Sequence, residues 1–168
     1  MNKPAICGGT PVRREKIFYG HQYIDDDDIQ AVVDVLKSDY LTCGPKIQEA
    51  EDKLCEITGA KYAVLCSNGT AALHIACQAA GVSAGDEVIT TPITFAASAN
   101  WALYCGAKPV FADINEETYN IDPACVEALT TEKTKAVVAV DYTGQSVELD
   151  RLLEHCHKHH IALIEDGA

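Results

Sequence analysis

The apolar positions of the chain follow two alternating periods. Ile29, Val32, Val33 and Leu36 recur at i, i+3, i+4 and i+7, which predicts a helix just after the aspartates at 25–28. A second helix follows the break at Thr42-Cys43-Gly44-Pro45, passes through Leu54 and Ile57, and is ended by Gly59. Tyr62 to Cys66 is then a short apolar run of the kind that suits a buried strand. It breaks at Ser67-Asn68-Gly69, and from Thr70 an Ala- and Leu-rich helix runs to about Ala80, where Gly81 stops it. Glu87 to Thr90 predicts a strand that Thr91-Pro92 ends, because proline cannot continue a central ladder. Phe95 to Tyr104 is the next helix, closed by Gly106, and Pro109 to Asp113 the next strand. Asp122-Pro123 places a cap and a first helical residue before a helix reaching about Leu129. Lys135 to Asp141 is the most continuous apolar strand. Val147 to His159 keeps helical spacing through Leu149, Leu152, Leu153 and Cys156, and Ile161 to Ile164 delivers Glu165-Asp166 at the end of a last strand.

Apolar strands alternating with helices predict an α/β fold, a mostly parallel sheet with helices on both faces. In such sheets ligands sit beyond the carboxyl ends of the strands. At 168 residues the chain holds one domain with a real core. The net charge of −12 argues against a nucleic-acid partner, which needs a basic patch. Residues 1–10 lack a continuous apolar core of signal-peptide type, and no run approaches a membrane span, so no membrane partner is expected. Eight scattered cysteines without a close pair are expected to stay reduced, several as small apolar residues inside elements, with the cytoplasm as the natural location.

Three groups fall at carboxyl ends of strands: Ser67 to Ala71, Thr94-Phe95, and Asp166. The first is a strand-to-helix turn whose leading N–H groups lack internal partners. Those groups and the positive end of the helix dipole seat a phosphate or carboxylate, although an ordinary capped helix start would read the same. With an aromatic face and a carboxylate, the set suits a flat, phosphorylated, cationic heteroaromatic ring such as pyridoxal phosphate. An acidic partner would keep the pyridine nitrogen of such a ring protonated. Other chemistry is weaker. The aspartates at 25–28 lack calcium-loop spacing and complement a helix dipole. His155 and His159 have i, i+4 spacing that could hold a metal, but polar side chains at a helix end are the simpler account.

Ser67-Asn68-Gly69-Thr70-Ala71-Ala72-Leu73, Thr91-Pro92-Ile93-Thr94-Phe95-Ala96-Ala97-Ser98-Ala99-Asn100, Gly106-Ala107-Lys108-Pro109-Val110-Phe111-Ala112-Asp113 and Ile164-Glu165-Asp166 together resemble the DegT/DnrJ/StrS family. Its members are sugar aminotransferases of the fold-type I pyridoxal-phosphate enzymes, and the resemblance covers nearly the whole chain from about Gly8-Gly9-Thr10-Pro11. It implies that Gly69, Thr70 and Ala71 meet the cofactor phosphate, that Phe95 stacks on the ring, and that Asp166 pairs with the pyridinium nitrogen. Gly167 stands where members often carry alanine. Residues 1–60 would be a helical lead-in, and residues 61–168 the first part of the cofactor-binding large domain, with the C-terminal domain absent. Thr90 to Asn100 and Asp141-Tyr142-Thr143-Gly144-Gln145-Ser146-Val147 resemble family members of pseudaminic acid biosynthesis. Those enzymes move an amino group from glutamate to C4 of a UDP-linked 4-keto-6-deoxy-N-acetylhexosamine, and the family implies a homodimer.

One departure stands out. The family's Schiff-base lysine is expected some tens of residues beyond Asp166. Here Lys61, Lys108 and Lys135 precede strands, and Lys158 belongs to a helix. The chain alone is therefore expected to lack transaminase activity and to fold poorly or self-associate, with Ile161 to Ile164 incompletely paired. Two alternatives remain: a dehydratase of the same family with histidine in place of lysine, and a noncatalytic phosphate-binding α/β module. Against the module, the glycine-rich dinucleotide and P-loop signatures are absent.

Overall fold

The structure, a computed structural model, describes residues 3–18 and 20–168. The chain divides into two compact units, one ending at Tyr62 and the other beginning at Ala63.

In the first unit a short 3-10 turn at Ala5–Cys7 precedes α1 (Asp26–Lys37) and α2 (Pro45–Thr58). The aspartates form a capping box. Asp25 accepts from the N–H groups of Asp27 and Asp28 at 3.1 and 3.2 Å, and Asp28 accepts from that of Asp25 at 3.1 Å. Pro45 opens α2, where its missing N–H costs nothing. Gly59 closes it in the left-handed region at φ 73, donating to the Cys55 carbonyl at 2.9 Å. Neither helix contains a buried residue.

The second unit runs α3 (Gly69–Ala79), β1 (Glu87–Thr90), α4 (Ala97–Tyr104), β2 (Lys108–Phe111), α5 (Pro123–Leu129), β3 (Thr134–Val140), α6 (Leu149–His159) and β4 (Ala162–Asp166). The strands form one sheet in the order β2-β1-β3-β4, and every pairing is parallel. The α/β expectation thus holds, down to helices on both faces. Alternation along the strands sends Val88, Ala136 and Val138 to one face, against Leu73 and Cys77 of α3 and Trp101 of α4. Ile89, Val137 and Ala139 face the other way, against Val126 of α5 and Leu152 and Cys156 of α6. Because β1 and β3 are covered on both sides, they read in sequence as apolar runs rather than alternating ones. β2 lies at an edge, which accommodates Pro109. The N–H groups of Lys108 and Ala112 point to β1, onto Asp86 and Thr90 carbonyls at 2.9 and 2.8 Å, so position 109 faces outward, where no donor is needed. β4 is the other edge, and among the described residues it pairs with β3 alone.

Some boundaries differ from the sequence reading. Tyr62 to Cys66 forms no strand, and Tyr62 and Val64 are 76% and 70% exposed. An apolar run becomes a strand only through ladder bonds, and the ladder among the described residues is confined to β1–β4. The expected helix from Phe95 begins at Ala97, which leaves Phe95 in the preceding turn. The last strand continues through Glu165 and Asp166, because both pair with β3, at Ala139 and Val140. Cys77 and Cys156 are buried, and burial pushes the Cys156 thiol up to about 11. Cys66, read as part of a strand, is exposed. His155 is no free helix-end group. Thr130 Oγ1 donates to the Val126 carbonyl, so the Nε2 of His155, 2.8 Å away, is the donor to Thr130. Burial and then His159 hold the His155 imidazole below its usual range. Among the described residues no helix is long and apolar enough to cross a membrane.

Candidate functional site

The carboxyl edge of the sheet carries the candidate groups. Asp166 ends β4 and is 8% exposed. Its Oδ2 accepts from Ser98 Oγ at 2.7 Å, and its Oδ1 accepts from the Ala168 N–H at 3.3 Å. Ser98 lies in the first turn of α4, fully buried, and its Oγ is 2.8 Å from Thr94 Oγ1. A carboxylate only accepts, and Ser98 has a single hydroxyl proton, so that proton goes to Asp166 and Thr94 donates to Ser98. Two donors on Asp166 leave lone pairs for another.

Opposite lies the start of α3. Asn68 caps it: Oδ1 accepts from the Ala71 N–H at 2.9 Å, and the Asn68 carbonyl accepts from Ala72 at 3.0 Å. The N–H groups of Gly69 and Thr70 have no acceptor among the described residues. A Cβ at Gly69 would stand 3.0 Å from the Ala168 Cβ, so glycine permits the close approach of the two segments. A cavity of about 170 Å³ lies between them, lined by Gly69, Ala72 and Leu73 on one side and Ile164, Asp166 and Ala168 on the other.

Phe95 is 77% exposed, outside that cavity, in a turn whose carbonyl accepts from the Ser98 N–H at 3.1 Å. The Thr94–Ser98 hydrogen bond spans this turn, so the Phe95 segment and the Asp166 carboxylate share one anchor. Of the residues expected from sequence, Gly69 and Asp166 therefore line one cavity. Phe95 is tied to Asp166 through Ser98, and Thr70 and Ala71 sit in the capped first turn of α3.

Sequence reasoning missed three further groups at this edge. Ser98 was one more residue of a helix. Asn120, 3% exposed, spends its whole amide on one loop: Nδ2 donates to the Gln145 and Ser146 carbonyls at 2.8 and 3.0 Å, and Oδ1 accepts from the Tyr142 N–H at 2.9 Å. That loop contains Thr143 in the left-handed region at φ 56. Asp141, just past β3, accepts from the Val147 N–H at 3.0 Å and donates its own N–H to the Asp166 carbonyl at 3.0 Å. The register Ala139↔Glu165 puts Asp141 and Glu165 diagonally on one face of the sheet. A hydrogen bond with Asp141, then burial, then the Asp141 charge raise the Glu165 carboxyl above its ordinary value.

This donor set fits a phosphorylated pyridinium: two uncommitted helix N-terminal N–H groups for an anion, an exposed aromatic face, and a buried carboxylate with acceptor capacity to spare. Among the described residues no group of three or more His, Cys, Asp or Glu side chains is arranged to hold a metal ion.

Known proteins resemble this chain in sequence and fold. The profile of the DegT/DnrJ/EryC1/StrS aminotransferase family matches residues 22–168. The spore coat polysaccharide biosynthesis protein SpsC of Bacillus subtilis is 45% identical over 150 residues, covering 89% of this chain and 39% of SpsC. The UDP-4-amino-4-deoxy-L-arabinose–oxoglutarate aminotransferase of Shewanella sediminis is 41% identical over 145 residues, 86% of this chain and 37% of that enzyme. Among solved structures, Helicobacter pylori PseC, an aminotransferase involved in the biosynthesis of pseudoaminic acid, superposes with a TM-score of 0.87 at 38% identity. The match covers 92% of this chain and 42% of PseC. The chain thus spans about two fifths of the length of these relatives.

Proposed function

Because this chain belongs to the DegT/DnrJ/EryC1/StrS aminotransferase family, we propose that residues 61–168 form the first part of the cofactor-binding large domain of a pyridoxal-phosphate-dependent nucleotide-sugar aminotransferase. The intact enzyme would be a homodimer. It would take the amino group of glutamate and deliver it to C4 of a UDP-linked 4-keto-6-deoxy-N-acetylhexosamine, as in pseudaminic acid synthesis. The likeness to PseC and to the Shewanella UDP-sugar enzyme supports this choice of substrate class.

The observation that carries the reading is the shared cavity, in which a buried carboxylate at the end of β4 faces the uncommitted start of α3. Gly69 and Thr70 would hold the phosphate through their N–H groups, and the Ala71 N–H joins them by leaving Asn68. Phe95 would cover the ring, and Asp166 would accept from the ring nitrogen and keep it protonated. When bound, the cofactor supplies an electron sink for the carbanion at the substrate carbon. Lys108, Lys133, Lys135 and Lys158 lie at the starts of β2 and β3 and at the end of α6, the edge of the sheet opposite Asp166. That placement of these four supports the reading in which the 168-residue chain by itself would bind cofactor without turning over substrate.

Titration of the purified chain with pyridoxamine 5′-phosphate, which needs no lysine to bind, tests this. The phosphorylated ligand should bind about tenfold or more tighter than pyridoxamine, and Asp166→Ala should weaken it by a similar factor. Failure to bind overturns the cofactor reading. Robust turnover of glutamate and the UDP-keto sugar by this chain overturns the claim of inactivity.

A further inference from the structure

We infer that Ser98 is the positioning residue of this site, fixing the Asp166 carboxylate and the Phe95 turn in one geometry through a directed Thr94–Ser98–Asp166 hydrogen-bond chain. The inference rests on the cofactor reading above and adds a residue to it.

Three observations carry it. Ser98 is wholly buried, so water does not compete for its hydroxyl, and its 2.7 Å contact bridges segments 68 residues apart in sequence. The proton order is forced, Thr94 to Ser98 to Asp166, and each donation in such a chain polarises the next. The same Ser98 also receives the backbone of the turn: its N–H donates to the Phe95 carbonyl at 3.1 Å, while Thr94 and Ser98 close the turn through their hydroxyls at 2.8 Å. Phe95 itself is 77% exposed, so little burial helps to hold it. Nor does α4 owe its start to a capping side chain, since its N-cap is Ala96, which makes no side-chain bond.

Asp166 has two oxygens with different work. With Oδ2 taken by Ser98, the carboxylate cannot rotate freely, and Oδ1, which among the described residues accepts the long 3.3 Å contact from Ala168, becomes the oxygen that accepts from a ligand nitrogen. Removing the Ser98 hydroxyl releases that rotation and withdraws a hydrogen bond that favours the charged form. The loss should be felt at the ring nitrogen, while the phosphate contacts at α3 stay as they were.

The test compares pyridoxamine 5′-phosphate with its 1-deaza analogue, which keeps the phosphate and the ring face but has carbon in place of the ring nitrogen. In wild type, Ser98→Ala and Thr94→Val, each as the full 168-residue chain, affinities come from fluorescence titration and ring-nitrogen protonation from the 15N shift of the labelled ligand. Ser98→Ala should weaken the pyridoxamine phosphate complex about tenfold and lower the ring-nitrogen titration midpoint by about one unit; because the backbone N–H of position 98 still holds the Phe95 carbonyl, the deaza analogue should stay within about twofold. Thr94→Val should shift both in the same direction by less, because Ser98 keeps its own proton for Asp166. Equal weakening of both ligands by Ser98→Ala, or no change in either, overturns the inference and leaves the cofactor reading standing. If the wild-type chain binds neither ligand, the cofactor reading falls and the inference falls with it.

Discussion

At the residue scale, the carboxyl edge concentrates polar groups whose partners are remote in sequence. Ser98 meets Asp166 across 68 positions, and Asn120 meets the loop at 142–146 across 22 to 26. Pattern reading singled out Asp166 as a candidate because an acidic residue ending an apolar strand stands out. Ser98 carried no comparable signal, since a serine in an alanine-rich helix start is unremarkable until the fold supplies its carboxylate. Glu165 gives a direct test at this scale. Its raised carboxyl means the folded chain binds that proton more tightly than the unfolded one. The resulting stability is fully present below the unfolded glutamate value of about 4.3 and is lost as pH rises through the higher folded value. Glu165→Gln keeps a donor toward Asp141 at every pH. Urea midpoints of the variant should therefore overlay those of wild type near pH 4 and exceed them near pH 7. Midpoints that run parallel across this range would show that the Glu165 proton is not linked to folding.

At the element scale, what was legible was what local chemistry fixes. Asp122 and Pro123 mark the start of α5, Gly59 the end of α2, and the aspartates at 25–28 cap α1 as a dipole argument requires. β1 and β3 were legible because burial on both faces makes them continuous apolar runs. Tyr62 to Cys66 shows the limit of that reasoning, for the same composition outside the ladder of β1–β4 gives no strand. The start of α3 reads in sequence either as an anion seat or as an ordinary capped helix start, and the structure adds the cap, with the Asn68 side chain occupying the Ala71 N–H. Asn68→Ala should lower the stability of the chain by about 1 kcal/mol in urea unfolding, and Asn68→Asp should restore most of it. A neutral alanine variant would mean that the cap bond contributes nothing to α3.

At the scale of the whole molecule, the two units differ in what holds them. α1 and α2, of 12 and 14 residues, bury no side chain, and helices of that length are marginal in water without packing. The second unit packs two apolar layers on a sheet whose β3 is buried from Ala136 to Val140. Local opening is cheap where few apolar contacts are lost and expensive where a covered strand must leave its neighbours. Native-state hydrogen exchange should therefore grade the chain. Amides of α1 and α2 should exchange by local fraying, while those of Ala136 and Val137, paired with both β1 and β4, should open only with global unfolding. β4 should fall between these limits, since among the described residues it pairs only with β3. Protection of α1 equal to that of β3 would contradict this ordering, because two helices without buried residues would then be opening only together with the most buried strand of the sheet.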